Sequence, residues 1–429
     1  MVQKPPKSKP VRASNKPAQK VSSSIAPPPY SQTAPEEPAG LKHQQTLLDI
    51  FQAAFSSVLG SRDFAATLQE VKAALYERDF AAAFARQEYL DVYAARWSPT
   101  RALCYAKVLE DLSDHLTEMM GADCVESEST ESESAGQVTE GETGPDTLAV
   151  NLAETQISGE ARPAGEEQST TKQKLRVLAI GGGAAEIVAF ASYLRSLSTP
   201  SSASASTSPT PSSSAVPAGD LTLLDIGPWD TVVHKLHEAL TTPPPLSRYA
   251  NAALKASNGA FIAPNRLASR FRQRDILASS QSSTEIPALL SPSPDSGPIL
   301  VTLLFTLNEL YTTFGVGATT AFLRQLSRLI PPGSLLLVVD SPGSYSEAAI
   351  GGNRKKYPMA WLMDHTLLPP EKRRSQVASE SGDEGCSWTK LESHDSLWFR
   401  LAQGLRYPIA LENMRYQMHL YRANARQVS

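Results

Sequence analysis

The sequence predicts an α/β fold, a mostly parallel sheet with helices on both faces and one antiparallel edge strand, preceded by a helical module. Three observations predict it. Short, nearly continuous apolar runs recur after residue 173 with helical patterns between them, as expected of strands covered on both faces. The first of these runs ends in Gly181-Gly182-Gly183, and a helical pattern starts at once. Residues 41–122 instead repeat apolar side chains only at helical spacing.

The elements follow in chain order. Residues 1–40 form a Lys/Pro/Ser-rich segment that lacks the apolar residues needed to offset chain ordering, so a disordered tail is predicted. Up to residue 35 it holds six Lys or Arg and no acid, which suits a solubilising tail, a nuclear or nucleolar address, or a loose RNA tether. In the helical module, Leu47, Phe51, Phe55 and Val58 lie on one stripe, with Gly60 as a stop. Phe64, Leu68, Val71 and Leu75 make a second stripe. Ser98-Pro99 reads as a helix start, and Leu103, Ala106, Leu109 and Leu112 continue it. Residues 123–172 read as a flexible linker: twelve Asp or Glu and one Arg fall between 123 and 167.

The α/β region is expected over 173–429. Leu175–Ile180 is its first strand, followed by a helix from about Ala184 to Leu197. A Ser/Pro/Ala low-complexity insert occupies 196–219. Leu221–Ile226 is the second strand, and Trp229–Leu240 the next helix. A third strand lies around Phe271–Leu277, and a fourth at Ile299–Phe305. A helix over about Thr319–Leu329 leads to a fifth strand, Ser334–Val339. Residues 375–390 read as a loop. Arg415–Arg422 alternates and is expected to be the antiparallel closing strand.

Composition bounds the function. The 429 residues carry a net charge of −4, and no stretch is apolar for the ~18 residues a membrane helix needs. Cys104, Cys124 and Cys386 are odd in number and form no CxxC pair; the seven histidines form no HxxxH or HExxH pair, so no metal site is expected.

The glycine turn is the strongest chemical signal. Ligands of such sheets bind at the carboxyl ends of the strands, and glycines let a ligand approach the backbone. No Gly-Lys-Ser/Thr follows, which excludes a P-loop. A dinucleotide fingerprint wants Gly or Ala where Glu186 stands. A carboxylate there repels a diphosphate and tolerates a sulfonium or an amino group, which favours S-adenosylmethionine over NAD. Asp225 ends the second strand, where a carboxylate can accept from both ribose hydroxyls. It lies 42 residues beyond Gly183 rather than the usual ~20, and the insert accounts for the excess. Asp275 is the candidate for the adenine amino group. Asn308 and Glu309, after the fourth strand, are the catalytic candidates, while Asp340 and Ser341 end the fifth. Arg96-Trp97 and Arg270, Arg272 and Arg274 are the candidates for holding a nucleic acid. Four arginines and no acid fall within 266–274, and guanidinium and aromatic groups can hold phosphates and stack unpaired bases.

Tyr93-Ala-Ala-Arg-Trp-Ser-Pro-Thr-Arg-Ala-Leu-Cys-Tyr105, with Leu178-Ala-Ile-Gly-Gly-Gly-Ala-Ala-Glu186 and Leu224-Asp-Ile-Gly-Pro-Trp229, resembles the fungal large-subunit ribosomal RNA uridine-N(3) methyltransferase family. The resemblance covers roughly 41–122 and 173–429. It implies a Rossmann-like class I methyltransferase fold, S-adenosylmethionine as donor and a uridine of 25S-type ribosomal RNA as acceptor. It also implies a ribosomal RNA or pre-ribosomal partner, and nucleolar and cytoplasmic location. The acid common two residues before the first glycine in such enzymes is Ala179 here, and the last glycine of the turn is Ala185. Methylation of a protein or small molecule, or a non-catalytic adaptor role in ribosome assembly, are the alternatives.

Overall fold

The computed structural model describes residues 38–121, 174–198, 217–277, 286–290, 296–343, 345–350, 353–368 and 387–425. The basic tail up to residue 37, the acidic linker and the insert between 199 and 216 lie outside the described residues. Helices α1 (Pro38–Ala54), α2 (Ser56–Leu59), α3 (Phe64–Tyr76) and α4 (Phe80–Ala83) come first. Then follow α5 (Gln87–Arg96), α6 (Ser98–Asp111) and α7 (Ser113–Gly121). Gly60 ends α2, and Pro99 occupies the first turn of α6, where its missing N–H costs nothing. Helix α1 begins at Pro38, inside the segment expected to be tail.

The α/β part alternates as the apolar runs predict. Strand β1 (Lys174–Ile180) leads to α8 (Ala184–Ser196), and β2 (Ala218–Asp225) to α9 (Asp230–Thr241) and the short α10 (Ala252–Ala256). Strand β2 begins two residues inside the expected insert. Strand β3 (Leu267–Gln273) starts four residues earlier than its apolar content suggested, because it is an edge strand whose outward residues are polar. Strand β4 (Leu300–Leu304) is followed by α11 (Leu307–Thr313) and α12 (Gly315–Leu329), then β5 (Leu335–Asp340). A hairpin, β6 (Tyr345–Ile350) and β7 (Asn353–Pro358), precedes α13 (Met359–Leu367). Strands β8 (Trp388–Phe399) and β9 (Met414–Ala423) close the fold.

Seven strands form one sheet in the order β3-β2-β1-β4-β5-β9-β8. The first five are mutually parallel, and β9 runs antiparallel to both β5 and β8. Strand β8, which begins inside the stretch read as loop, is thus the outermost strand. Strand order reverses between β1 and β4, and that switch point opens a crevice at the carboxyl ends of both.

Alternate residues of each strand feed two cores. On one face, Val177, Ala179, Leu221, Leu223, Leu337 and Leu420 pack with α8, α9 and the N-terminal helices. On the other, Leu178, Ile180, Leu303, Val338 and Tyr421 pack with α11, α12 and α13. The N-terminal helices are therefore part of the layer that covers the sheet. Leu48, Phe51, Leu90, Ala102, Leu103 and Tyr105 are fully or almost fully buried against it.

Candidate active site

Every element that meets the crevice delivers a turn there. At the end of β1, the Gly181 and Gly182 amides both donate to the Leu224 carbonyl, at 2.7 and 3.3 Å, which fixes the glycine turn beside the end of β2. Gly181 has φ +70°, and a Cβ there would lie 2.3 Å from Thr306 Oγ1, so only glycine fits. A Cβ on Gly183 would lie 3.1 Å from the Trp229 indole. Gly182 faces inward: a Cβ would meet Ala179 at 2.7 Å and Leu223 at 3.0 Å. Its role is close packing between β1 and β2, a correction to its assignment as a ligand contact. Phe305, at the end of β4, is held at φ +60°, a strained conformation of the kind that collects at functional sites.

A cleft open to solvent lies here, at the carboxyl ends of β1, β2 and β4, where ligands of such sheets bind. Its walls include Gly181, Gly183, Glu186, Asp225, Arg274, Asp275 and Glu309 from the α/β part. Phe84, Tyr93, Ser98 and Arg101 come from the N-terminal helices. So the structure brings together most of the residues read as donor contacts, and Glu309 with them.

Carboxylates gather on the cleft walls, with Asp340 close enough to act on Glu309. Asp225 accepts from the Gly227 amide at 2.7 Å and from the Trp229 indole N–H. Burial nevertheless pushes its carboxyl up to about 7, and Glu186 adds to that shift. Burial raises Glu309 to about 7, with help from Asp225 and Asp340 and against the pull of Arg101. Asp340 is raised to about 6 by burial, although the Asn308 and Ser341 amides donate to it at 2.9 and 2.7 Å. Glu186 is raised as well, again by burial, while it accepts from the Gly183 amide at 2.8 Å and so caps α8.

Arg101 is the cation among these acids. Its guanidinium stacks over Phe305 at 5.0 Å and Tyr93 at 5.5 Å and donates to the Tyr93 hydroxyl. The sequence motif that contains it gives it no site role. The available signal is a cation on α6 between buried Thr100 and Ala102, where the helical stripe calls for an apolar side chain.

The remaining candidates fall elsewhere. Arg96, in the last turn of α5, points away from the cleft and pairs with Glu412. Trp97 packs against Tyr93, rings tilted and centroids 5.0 Å apart, and is not one of the cleft walls. Arg270 lies on β3 and pairs with Asp220 of β2 at 2.6 Å, because Asp220 faces Ala268 in the register and so shares a sheet face with Arg270 two residues on. Arg272 is exposed on β3 and is not a wall of the cleft. Asn308 serves Asp340 through its backbone amide, and its side chain is not part of the walls. Asp275 accepts from the Leu277 amide at 2.9 Å and holds its loop in a turn beside the cleft. Among the described residues no cluster of three possible metal ligands occurs, and no helix is long and apolar enough to cross a membrane.

Comparison with known proteins adds a family. The 25S rRNA (uridine(2843)-N(3))-methyltransferase of Saccharomyces cerevisiae is 29% identical over 390 residues, which cover 89% of this chain and 86% of that one. Among solved structures, the N-methyltransferase NodS of Bradyrhizobium japonicum, in complex with S-adenosyl-L-homocysteine, is 10% identical over 58% of this chain and 78% of its own, with TM-score 0.24. An O-methyltransferase family protein from Burkholderia thailandensis is 11% identical over 58% of this chain and about half of its own length, 51%, with TM-score 0.26. These superpositions are loose, and the fold rests on the sheet order itself. The model of a family described as "Putative SAM-dependent methyltransferase" matches residues 51–422. The chain belongs to this family of S-adenosylmethionine-dependent methyltransferases.

Proposed function

We propose that this protein methylates N(3) of a uridine in large-subunit ribosomal RNA. The observation that carries the acceptor is the 29% identity to the yeast 25S enzyme over 89% of the chain, which includes the helices that wall the cleft. Nucleolar and cytoplasmic location belongs with such a substrate, and the basic N-terminal tail suits it.

The cleft fits the donor on electrostatic grounds. Burial raises three carboxylates on its walls, Asp225 and Glu309 to about 7, and a cationic ligand relieves the cost of ionising them. When bound, S-adenosylmethionine supplies an electrophilic methyl group on a positively charged sulfur. Asp225 is placed to accept from the ribose hydroxyls, and its orientation is fixed beforehand by the Gly227 amide. Glu186 and Glu309 face the positive charge. Ala179 stands where many such enzymes carry an acid, so the charge is supplied from these neighbouring positions.

Uracil N(3) carries a proton that has to leave around the time of attack. Glu309 is the side chain placed to take it, since its affinity for protons near neutrality suits a general base. N(3) lies on the Watson–Crick edge, so the acceptor has to be unpaired or extruded. Phe84, Tyr93 and Arg101 on the cleft wall offer aromatic faces and a guanidinium for holding the base. Alignment of the two reactants supplies most of the rate.

The test is product mapping. Ribosomal RNA from a strain lacking the gene is incubated with purified protein and isotopically labelled donor, and nucleosides are separated by mass. Label in 3-methyluridine of large-subunit RNA is expected. Label on a different base, or only on protein, overturns the reading.

A further inference from the structure

Trp398 is 56% exposed on β8, an unusual place for an indole. Two guanidiniums flank its ring, Arg400 at 5.6 Å and Arg415 at 5.8 Å from the centroid. Arg415 faces Trp398 directly across the β8–β9 pair and is steadied by the Ser396 hydroxyl, which accepts from its Nε at 2.8 Å. Neither arginine has an ion pair among the described residues. Glu412, just before β9, is taken by Arg96.

The position of this cluster gives it meaning. In the sheet register Asp340 of β5 pairs with Gln417 of β9, and the Gln417 side chain donates to the Ser341 carbonyl at 2.7 Å. Arg415 lies two residues beyond that point, on the side where the parallel strands end and the cleft opens. Two strand spacings and two residue rises put Trp398 roughly 12 Å from Asp340. Leu397 and Phe399 pack into the core on the α6 side, so Trp398 faces the opposite side, unpartnered.

From this we infer that Trp398, Arg400 and Arg415 form a docking point for an unpaired stretch of RNA on the outer edge of the sheet, at the end where the parallel strands reach the cleft. The indole stacks a base, and the two guanidiniums hold phosphates on either side of it. The proposal rests on the ribosomal RNA reading above and deepens it by placing nucleotides beside the target on the outer edge of the sheet. Charge argues for RNA over a protein partner: two guanidiniums without an ion pair among the described residues lie beside one exposed indole, a set that suits phosphates and a base.

The test uses the full chain with saturating donor and a fluorescein-labelled single-stranded oligouridine of about twelve nucleotides, a length within the site sizes of such proteins. Trp398→Ala is expected to weaken binding about five- to a hundredfold, and Trp398→Phe, which keeps a π-face, by less than about threefold. The double variant Arg400→Ala/Arg415→Ala is expected to weaken binding and to flatten the log–log salt slope by roughly 1.4 for the two phosphates released. On ribosomal RNA, KM is expected to rise in these variants while kcat and donor affinity by calorimetry stay near wild type. RNA affinity within twofold of wild type in both the Trp398→Ala and the double-arginine variants overturns the proposal, whatever protein partner they lose. So does a wild-type chain that binds no oligouridine. Wild-type protein that forms no 3-methyluridine overturns the substrate reading instead, and the two failures are thus separate. The double variant keeps the question answerable if Trp398→Ala fails to fold.

Discussion

Asp225 has one carboxylate oxygen already bound to the Gly227 amide, and burial still holds its pKa at about 7. That combination gives Asp225→Asn two effects of opposite sign. Donor affinity is expected to fall about a hundredfold, since charge-assisted hydrogen bonds to the ribose are lost. The ligand-free protein at pH 8 is expected to be as stable or more stable, because a buried charge is gone. Calorimetry and thermal melts check both, and a variant that binds donor within threefold of wild type removes Asp225 from the site. Glu309→Gln separates chemistry from binding: kcat is expected to drop ~10²–10⁴-fold while donor affinity changes less than about tenfold. The defect is expected to shrink at high pH, where uracil begins to lose its proton unaided. A pH-independent defect rules Glu309 out as the base. The titrating groups also give a direction for stability. Asp225 and Glu309 near 7 and Asp340 near 6 all lie above the unfolded carboxylate value of about 4. The native state therefore binds more protons than the unfolded state over that range, so ligand-free stability is full below about pH 4 for these groups and declines as pH rises to about 7. A cationic donor selects the ionised carboxylates, so its affinity is expected to rise over the same window, with protons released on binding. Donor affinity that is flat between about pH 5.5 and 8 contradicts the coupling.

At the scale of elements, legibility followed burial. Strands β1, β4 and β5 are buried on both faces and β2 on one, and each shows as an apolar run, so the sheet and its glycine turn are readable. Strand β8 was not: Trp-Thr-Lys-Leu-Glu-Ser-His-Asp-Ser-Leu-Trp-Phe is half-solvated, and two register shifts against β9 break its alternation. Helix α11 spans only seven residues, too few for a periodic signal, yet it is the element that aims Glu309 into the cleft. The acids of the site were legible because strand ends announce them. Arg101 was not, because its partners Tyr93, Phe305 and Glu186 come together only when α6 lies beside α8 and the end of β4. Arg101→Met tests that junction. Removing the cation leaves four acids in one pocket, and a loss of about 2–4 kcal/mol is expected at pH 8. At pH 5.5 Asp225 and Glu309, raised to about 7, are largely protonated and the loss is expected to be much smaller. Equal destabilisation at the two pH values shows that Arg101 acts through packing rather than charge.

At the scale of the whole molecule, the question is what the N-terminal helices are for. The sequence suggested a separate module joined by a linker, and as a sequence it has that shape, since about fifty acidic and polar residues divide it from β1. In the fold, Leu103, Tyr105 and Leu109 of α6 share one core with Val177, Ala179, Ile187 and Phe190, so this face of the sheet is dry only when α6 covers it. The same helices supply four walls of the cleft, Phe84, Tyr93, Ser98 and Arg101. Stability and donor binding therefore both depend on them, whereas chain continuity through 122–173 need not matter once the core has formed. A protease site engineered into that stretch separates the two requirements. Cleavage of the folded protein is expected to leave donor affinity within about twofold and the two pieces co-migrating on gel filtration, because an interface as apolar as a domain core persists without a covalent link. A chain that begins at residue 174 is expected to aggregate or to bind no donor, since a broad apolar face then meets water. A 174–429 chain that is monomeric and binds S-adenosylmethionine with full affinity shows that the helices are an accessory, and that Arg101 and Tyr93 take no part in holding the donor.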